Sequence, residues 1–243
     1  MLTYHHKQRG VTLVELMIAG VIALIAVSAV LTVYSASALH SAGLLQQAHL
    51  HQQLHALTHL IGRDLKRAGY WHFDPGFRAA SDNPFQNSTN QIRIQAYAGH
   101  SPDSCILYAY DLDQDGLVGV GACDDADCAE QTDSDNVEQF GFRLHGARVQ
   151  SRYGGSGFEC DSGYWQTVND PTMEITQLQF TQHSRCLNLL EADRECTPDA
   201  PQLIQRALKI QLSGQLRGKP DGHTAITQWV RIRNDQLREG NGW

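Results

Sequence analysis

Residues 16–62 include no Asp, Glu, Lys or Arg. The first part of that interval, residues 16–33, is almost wholly apolar. At a rise of about 1.5 Å per residue, a helix of that length crosses most of a bilayer's hydrocarbon core. The polar segment before it, residues 1–10, carries Lys7 and Arg9. Basic residues hold their end of a span on the cytoplasmic side. The single acid near the span is Glu15. A carboxylate at the edge of an apolar span is costly and marks a specific partner. An ordinary signal peptide is the plainer alternative, with Ala36-Ser37-Ala38 as its A-x-A cleavage site. However, the apolar run exceeds the about 7–15 residues of such a segment, and Glu15 would then serve no purpose.

The segment Gly10-Val11-Thr12-Leu13-Val14-Glu15 resembles the processing site of type IV prepilins. That resemblance implies a cut by prepilin peptidase between Gly10 and Val11, and N-methylation of Val11. It implies that Glu15 neutralises the N-terminal amine of a neighbouring subunit during assembly. A buried carboxylate needs such a cation. Val11 stands where family members usually have Phe. Thr32 stands where many major pilins have a helix-kinking proline, which points to a minor subunit. The phrase Arg63-Asp64-Leu65-Lys66-Arg67-Ala68-Gly69-Tyr70-Trp71 is similar to the helix end of the PilW family of minor pilins, relatives of the J-type minor pseudopilins of type II secretion.

Beyond the span, Leu50, Leu54, Leu57, Ile61, Leu65 and Ala68 recur at steps of three and four, which makes one helical stripe. One helix is expected over about residues 11–68, roughly 85 Å long, stopping at Gly69. Residues 72–90 read as loop. Strand-like runs then fall at 91–98, 105–110, 139–145, 147–152, 174–182, 203–216 and 224–233, with a hairpin turn at Gly146. Strands without long intervening helices give an antiparallel sheet. The expected fold is α+β and pilin-like: a long N-terminal helix, membrane-spanning in its first half, packed on an antiparallel β-sheet head. The expected divisions are a leader over 1–10, a transmembrane and assembly helix over 11–34, a periplasmic continuation over 35–71, and a β-rich head over 72–243.

The six cysteines, Cys105, Cys123, Cys128, Cys160, Cys186 and Cys196, all follow the helix. An even set in the exported part of a chain reads as disulfides. Many pairings are open. The expectation is local closure of Cys123 with Cys128 and of Cys186 with Cys196, leaving Cys105 with Cys160. Zinc is the rival, but no ordered Cys/His set supports it. His51, His55 and His59 share one helical face. Two such histidines can share a metal, but no carboxylate or cysteine completes the set, so they read as a solvent-facing stripe.

Asp111-Leu112-Asp113-Gln114-Asp115-Gly116-Leu117 opens like a calcium loop, D-x-D-x-D-G. Alternating carboxylates face one centre, Gly116 permits the turn, and Leu117 offers a backbone carbonyl. Position twelve is Ala122, where a bidentate glutamate belongs. Asp124 and Asp125 are the candidate replacements, with Ca2+ the expected ion. The alternative is an acidic turn that binds nothing.

The sequence carries no signature of a hydrolase nucleophile elbow, a P-loop, a zinc protease or a dinucleotide fold, so no enzyme is expected. Gly154-Gly155-Ser156-Gly157 reads as a turn. A formal charge of -7 argues against nucleic acid as a partner. The expected partners are other minor and major pilins through the N-terminal helix, prepilin peptidase and the inner membrane, with the head periplasmic. A J-type pseudopilin and a calcium-tuned, adhesin-like tip subunit are the alternatives. A signal-anchored periplasmic hydrolase or binding protein is a further one.

Overall fold

A computed structural model describes residues 10–72, 79–97, 99–119, 137–155, 157–191 and 195–240. The chain divides into two units, residues 1–49 and 50–243. One helix, α1 (Leu13–Leu65), runs through the boundary. Side chains from 10 to 49 are exposed, and Leu50 is the first buried one. The all-round apolar sequence ends near residue 33, residues 34–49 are mixed and still exposed, and burial begins with the leucine stripe. A helix apolar on every side belongs in lipid or among other helices, whereas a striped helix buries one face. Among the described residues, α1 is the one helix long and apolar enough to cross a membrane.

In the second unit the expected stripe is buried: Leu50, Leu54, Leu57, Ile61, Leu65 and Ala68. It packs on two antiparallel sheets. The first joins β1 (Arg93–Gln95), β2 (Cys105–Ala109), β3 (Gln139–His145), β4 (Arg148–Arg152) and β5 (Trp165–Thr167) in that order. The second joins β6 (Met173–Asn188), β7 (Gln202–Leu216) and β8 (Lys219–Arg231), with β9 (Gln236–Arg238) also on β7. The sheets meet along β6, where the Ile175 and Phe180 amides donate to the Ala147 and Asp103 carbonyls at 2.9 Å each. One hydrophobic core holds the leucine stripe together with Ile106, Tyr108, Phe142, Phe180 and Ile210. The α+β fold is therefore as expected.

Gly62 faces the sheet so closely that a Cβ there would stand 3.0 Å from Gln228 Nε2 and Val230 Cγ2. At the helix end, Asn234 Nδ2 donates to the carbonyls of Arg67 and Ala68 at 3.0 and 3.1 Å. Gln86 and Asn83 donate to the Gly69 carbonyl. The amide of Arg233 donates to the Lys66 carbonyl. Carbonyls that a helix end leaves without partners are here taken up by distant parts of the head. α1 ends at Leu65, before the stop expected at Gly69, and residues 66–69 form a turn. Gly69 closes that turn with φ +73 and with Gln86 packed where a Cβ would stand.

The strands differ from expectation at several places: β1 is only Arg93–Gln95 of the expected 91–98, and β8 begins at Lys219, before the expected 224. β5 and β9 are three residues each, too short to carry a period. β6 runs past 182 to Asn188. Residues 182–186 are exposed, so both faces are polar and the alternation that marks a half-buried strand is missing. The β3–β4 hairpin turns at Gly146, φ +60, as expected.

Two disulfides match the expected pairing, Cys105–Cys160 and Cys186–Cys196. Cys123 and Cys128 lie outside the described residues. Arg152, 1 % exposed, donates to the Gly155 and Gly157 carbonyls at 2.8 and 2.6 Å. That glycine turn directs carbonyls at a guanidinium, the reverse of the amide-lined cradle an anion needs.

Candidate functional site

Two groups of residues carry chemistry, one in each unit. At the N-terminal site, α1 begins with Thr12 and Glu15 in a reciprocal cap. The Thr12 amide and its hydroxyl both donate to Glu15 Oε2 at 2.9 Å, and the Glu15 amide donates to Thr12 Oγ1 at 3.3 Å. This is a capping box, the T-x-x-E arrangement that satisfies amides at a helix start. Glu15 thus has a local role beside the one expected in assembly, and the T-x-x-E spacing is its signal. Both bonds to the carboxylate fall on Oε2, which leaves Oε1 directed at no residue of the cap. Gly10 and Val11 lie just ahead of the helix and are exposed.

The second site follows β2. Asp111, Asp113, Asp115 and Glu138 each place a carboxylate oxygen within 4.8 Å of the others. The loop is built by its own side chains. Asp111 Oδ1 accepts from the Gln114 amide at 2.7 Å, and its Oδ2 accepts from the His72 and Gly116 amides at 2.8 and 3.1 Å. Asp113 and Asp115 each accept from the amide two residues on. Gln114 and Gly116 both adopt left-handed backbone, φ +71 and +76, the turn that lets alternate aspartates face one point. Trp71 Nε1 donates to the Gly116 carbonyl at 3.0 Å, so the segment after α1 pins the loop.

Glu138 is the residue the sequence reading did not find. Its carboxylate accepts from the Leu112 and Gly119 amides at 2.8 and 2.9 Å. The signal lay in strand register. Ala109 pairs with Gln139, so the residue before β3 lies beside the residues after β2, and the Tyr110 amide donates to the Glu138 carbonyl. The expected Asp124 and Asp125 lie outside the described residues. Leu117 lies next to Asp115 through its amide.

Asp111 and Glu138 are buried, at 2 % and 1 % exposed. Burial pushes the Glu138 carboxyl up to about 7. The Gly119 and Leu112 amides oppose that rise, and the charges of Asp113 and Asp111 add to it. Burial, with the same neighbouring charges, also raises Asp115 against the pull of the Leu117 amide. Four crowded acids either share protons or gain from a cation. An all-oxygen set suits a hard ion such as Ca2+ and offers no nitrogen or sulfur to zinc. The cluster can therefore hold a metal ion.

The helix-end phrase has a local job beside this site. Asp64 accepts from the hydroxyls of Tyr108 and Tyr110, and Arg67 pairs with Asp64 and lies over the Tyr110 ring at 4.4 Å. Burial, then the Asp64 charge, raises the Tyr108 phenol well above its usual range.

A family model described as PpdB, prepilin peptidase-dependent protein B, matches residues 43–232. A second, described as the prokaryotic N-terminal methylation motif, matches residues 5–31. No curated protein and no solved structure matches the chain.

Proposed function

The chain belongs to the prepilin peptidase-dependent protein B family, and from that membership we propose that it is a minor pilin of a type IV pilus. It is a type IV pilin-like or pseudopilin-like protein, and its families are structural ones. In this reading prepilin peptidase cuts between Gly10 and Val11, and Val11 is methylated. Residues 11–34 hold the subunit in the inner membrane, with residues 72–243 forming the periplasmic head. The N-terminal helix packs with other pilins, and Glu15 meets a neighbour's N-terminal amine. The likeness of the helix end to the PilW family belongs to the same reading.

One observation carries most weight. The methylation motif spans residues 5–31, and within it Gly10, Val11 and Glu15 stand directly before or in the first turn of a helix whose side chains are exposed through 49. Unpartnered apolar surface of that extent marks an interaction site. The Glu15 carboxylate keeps one oxygen outside its cap for a partner's cation.

The test is intact mass and N-terminal sequencing of the protein from membranes of its native host. A chain starting at N-methylated Val11 is expected. A chain starting at Leu39, or one keeping Met1, would overturn the reading. Deleting the gene and scoring pili against secreted enzymes separates a pilus subunit from a J-type pseudopilin.

The acidic cluster favours a calcium-tuned head. Asp111, Asp113, Asp115 and Glu138 are the protein ligands in this reading, with Glu138 in the place the D-x-D-x-D-G pattern leaves for a distant glutamate. Extracellular calcium modules work at millimolar-range affinity. Calcium at about 1 mM should raise the Tm of the full chain, and Asp113→Asn with Asp115→Asn should abolish the rise. An equal rise in that double variant would remove calcium from the account.

A further inference from the structure

The histidine stripe of α1 has no place in pilin processing or in the acidic cluster, yet its geometry is specific. His51 and His55 are exposed, and their ring centroids lie 4.4 Å apart at an interplanar angle of 66°. Two imidazoles that share a zinc or copper ion, with metal–nitrogen bonds of about 2.0–2.1 Å, have centroids about 4.5–5 Å apart. The two rings therefore already stand at about the separation that a shared ion sets. The turn that carries them is anchored by the neighbouring buried stripe, where Leu50 and Leu54 are 1 % and 0 % exposed. A chelate whose backbone is already fixed loses little entropy on binding.

We propose that His51 and His55 form a bidentate site for a late first-row transition ion, Zn2+ or Cu2+, on the outer face of the helix. Imidazole nitrogens suit these ions, whereas the all-carboxylate loop after β2 suits calcium. The protein supplies two of the four positions of a tetrahedral ion, and water fills the others in the isolated chain. His59, one turn further on, is not part of the pair. It lines a groove of about 730 Å³ with His55, Gln52, Leu60, Arg63 and Gln228. Arg63 places a fixed positive charge beside any ion bound between His55 and His59, and that repulsion selects the N-terminal pair.

The test uses the full chain in detergent, with Zn2+ titrated by calorimetry and Cu2+ binding followed by electron paramagnetic resonance. Wild-type protein is compared with His51→Ala, His55→Ala, His59→Ala and Asp113→Asn. All five forms retain His5 and His6, so any uptake by the leader is common to them. Alanine at an exposed helix position preserves the helix. His51→Ala and His55→Ala should each weaken one zinc-binding event by at least about tenfold. They should also reduce a two-nitrogen copper signal to one nitrogen. His59→Ala should leave both readouts unchanged, and Asp113→Asn separates any uptake by the acidic cluster from uptake by the histidine pair. Undiminished binding in His55→Ala would overturn the proposal, as would loss in His59→Ala with retention in His51→Ala.

Discussion

At the scale of single residues, the acids of this chain have distinct tasks, and their environments separate them. Glu138 is held in its neutral form further up the pH scale than a free carboxyl. The folded state thus binds this proton more tightly than the unfolded chain does. The resulting stability is complete below about 4.5 and is lost as pH rises through about 7. With a chelator present, melts at pH 5 and pH 8 should show a loss on the order of 1–2 kcal/mol at the higher pH. Calcium should restore it, and Glu138→Gln should flatten the pH dependence. Asp64 serves packing. Asp64→Ala strands two phenol donors, and a cost of about 2–3 kcal/mol in urea unfolding is expected. For Glu15, Glu15→Ala should impair filament incorporation while the head keeps its melting temperature. Normal incorporation of that variant would count against the pairing with a neighbour's amine. The first three aspartates of the metal-competent cluster were legible in sequence because they are local. Glu138 was not, because it joins them only through the pairing of β2 with β3.

At the scale of elements, α1 and the sheet set each other's side chains. Gly62 allows the helix to approach β8, and Gly62→Leu would force the two apart. Overpacking of this kind costs about 1–3 kcal/mol. A lower Tm with near-unchanged helix content by circular dichroism is the expected result. The leucine stripe and the β3–β4 hairpin were readable because each has a period or a turn residue with one physical meaning. The far half of β6 was not readable. It is polar on both faces, and what orders it is its pairing with β7, where Cys186 stands opposite Ile204, together with its bridge to Cys196.

At the scale of the whole molecule, sequence separated a uniformly apolar first part of α1 from a mixed head, and the structure places the change of burial at Leu50. How the head closes on itself follows in part from the cysteine pairing expected from the sequence. The Cys105–Cys160 bridge ties β2 to the segment before β5. It is buried beside Leu107 and Phe158. Cys105→Ala with Cys160→Ala should cost about 2–4 kcal/mol in unfolding experiments. Removing the exposed Cys186–Cys196 bridge, which closes a shorter loop, should cost less.

The turn that follows α1, residues 66–69, is fastened by bonds from Arg233, Asn234, Asn83 and Gln86 to consecutive carbonyls, and by the Gly69 amide on β2. These attachments lie side by side where the helix joins the head. A pull on the helix is therefore spread over several bonds at once. Tension on this turn is thus shared between the C-terminal segment and the first sheet.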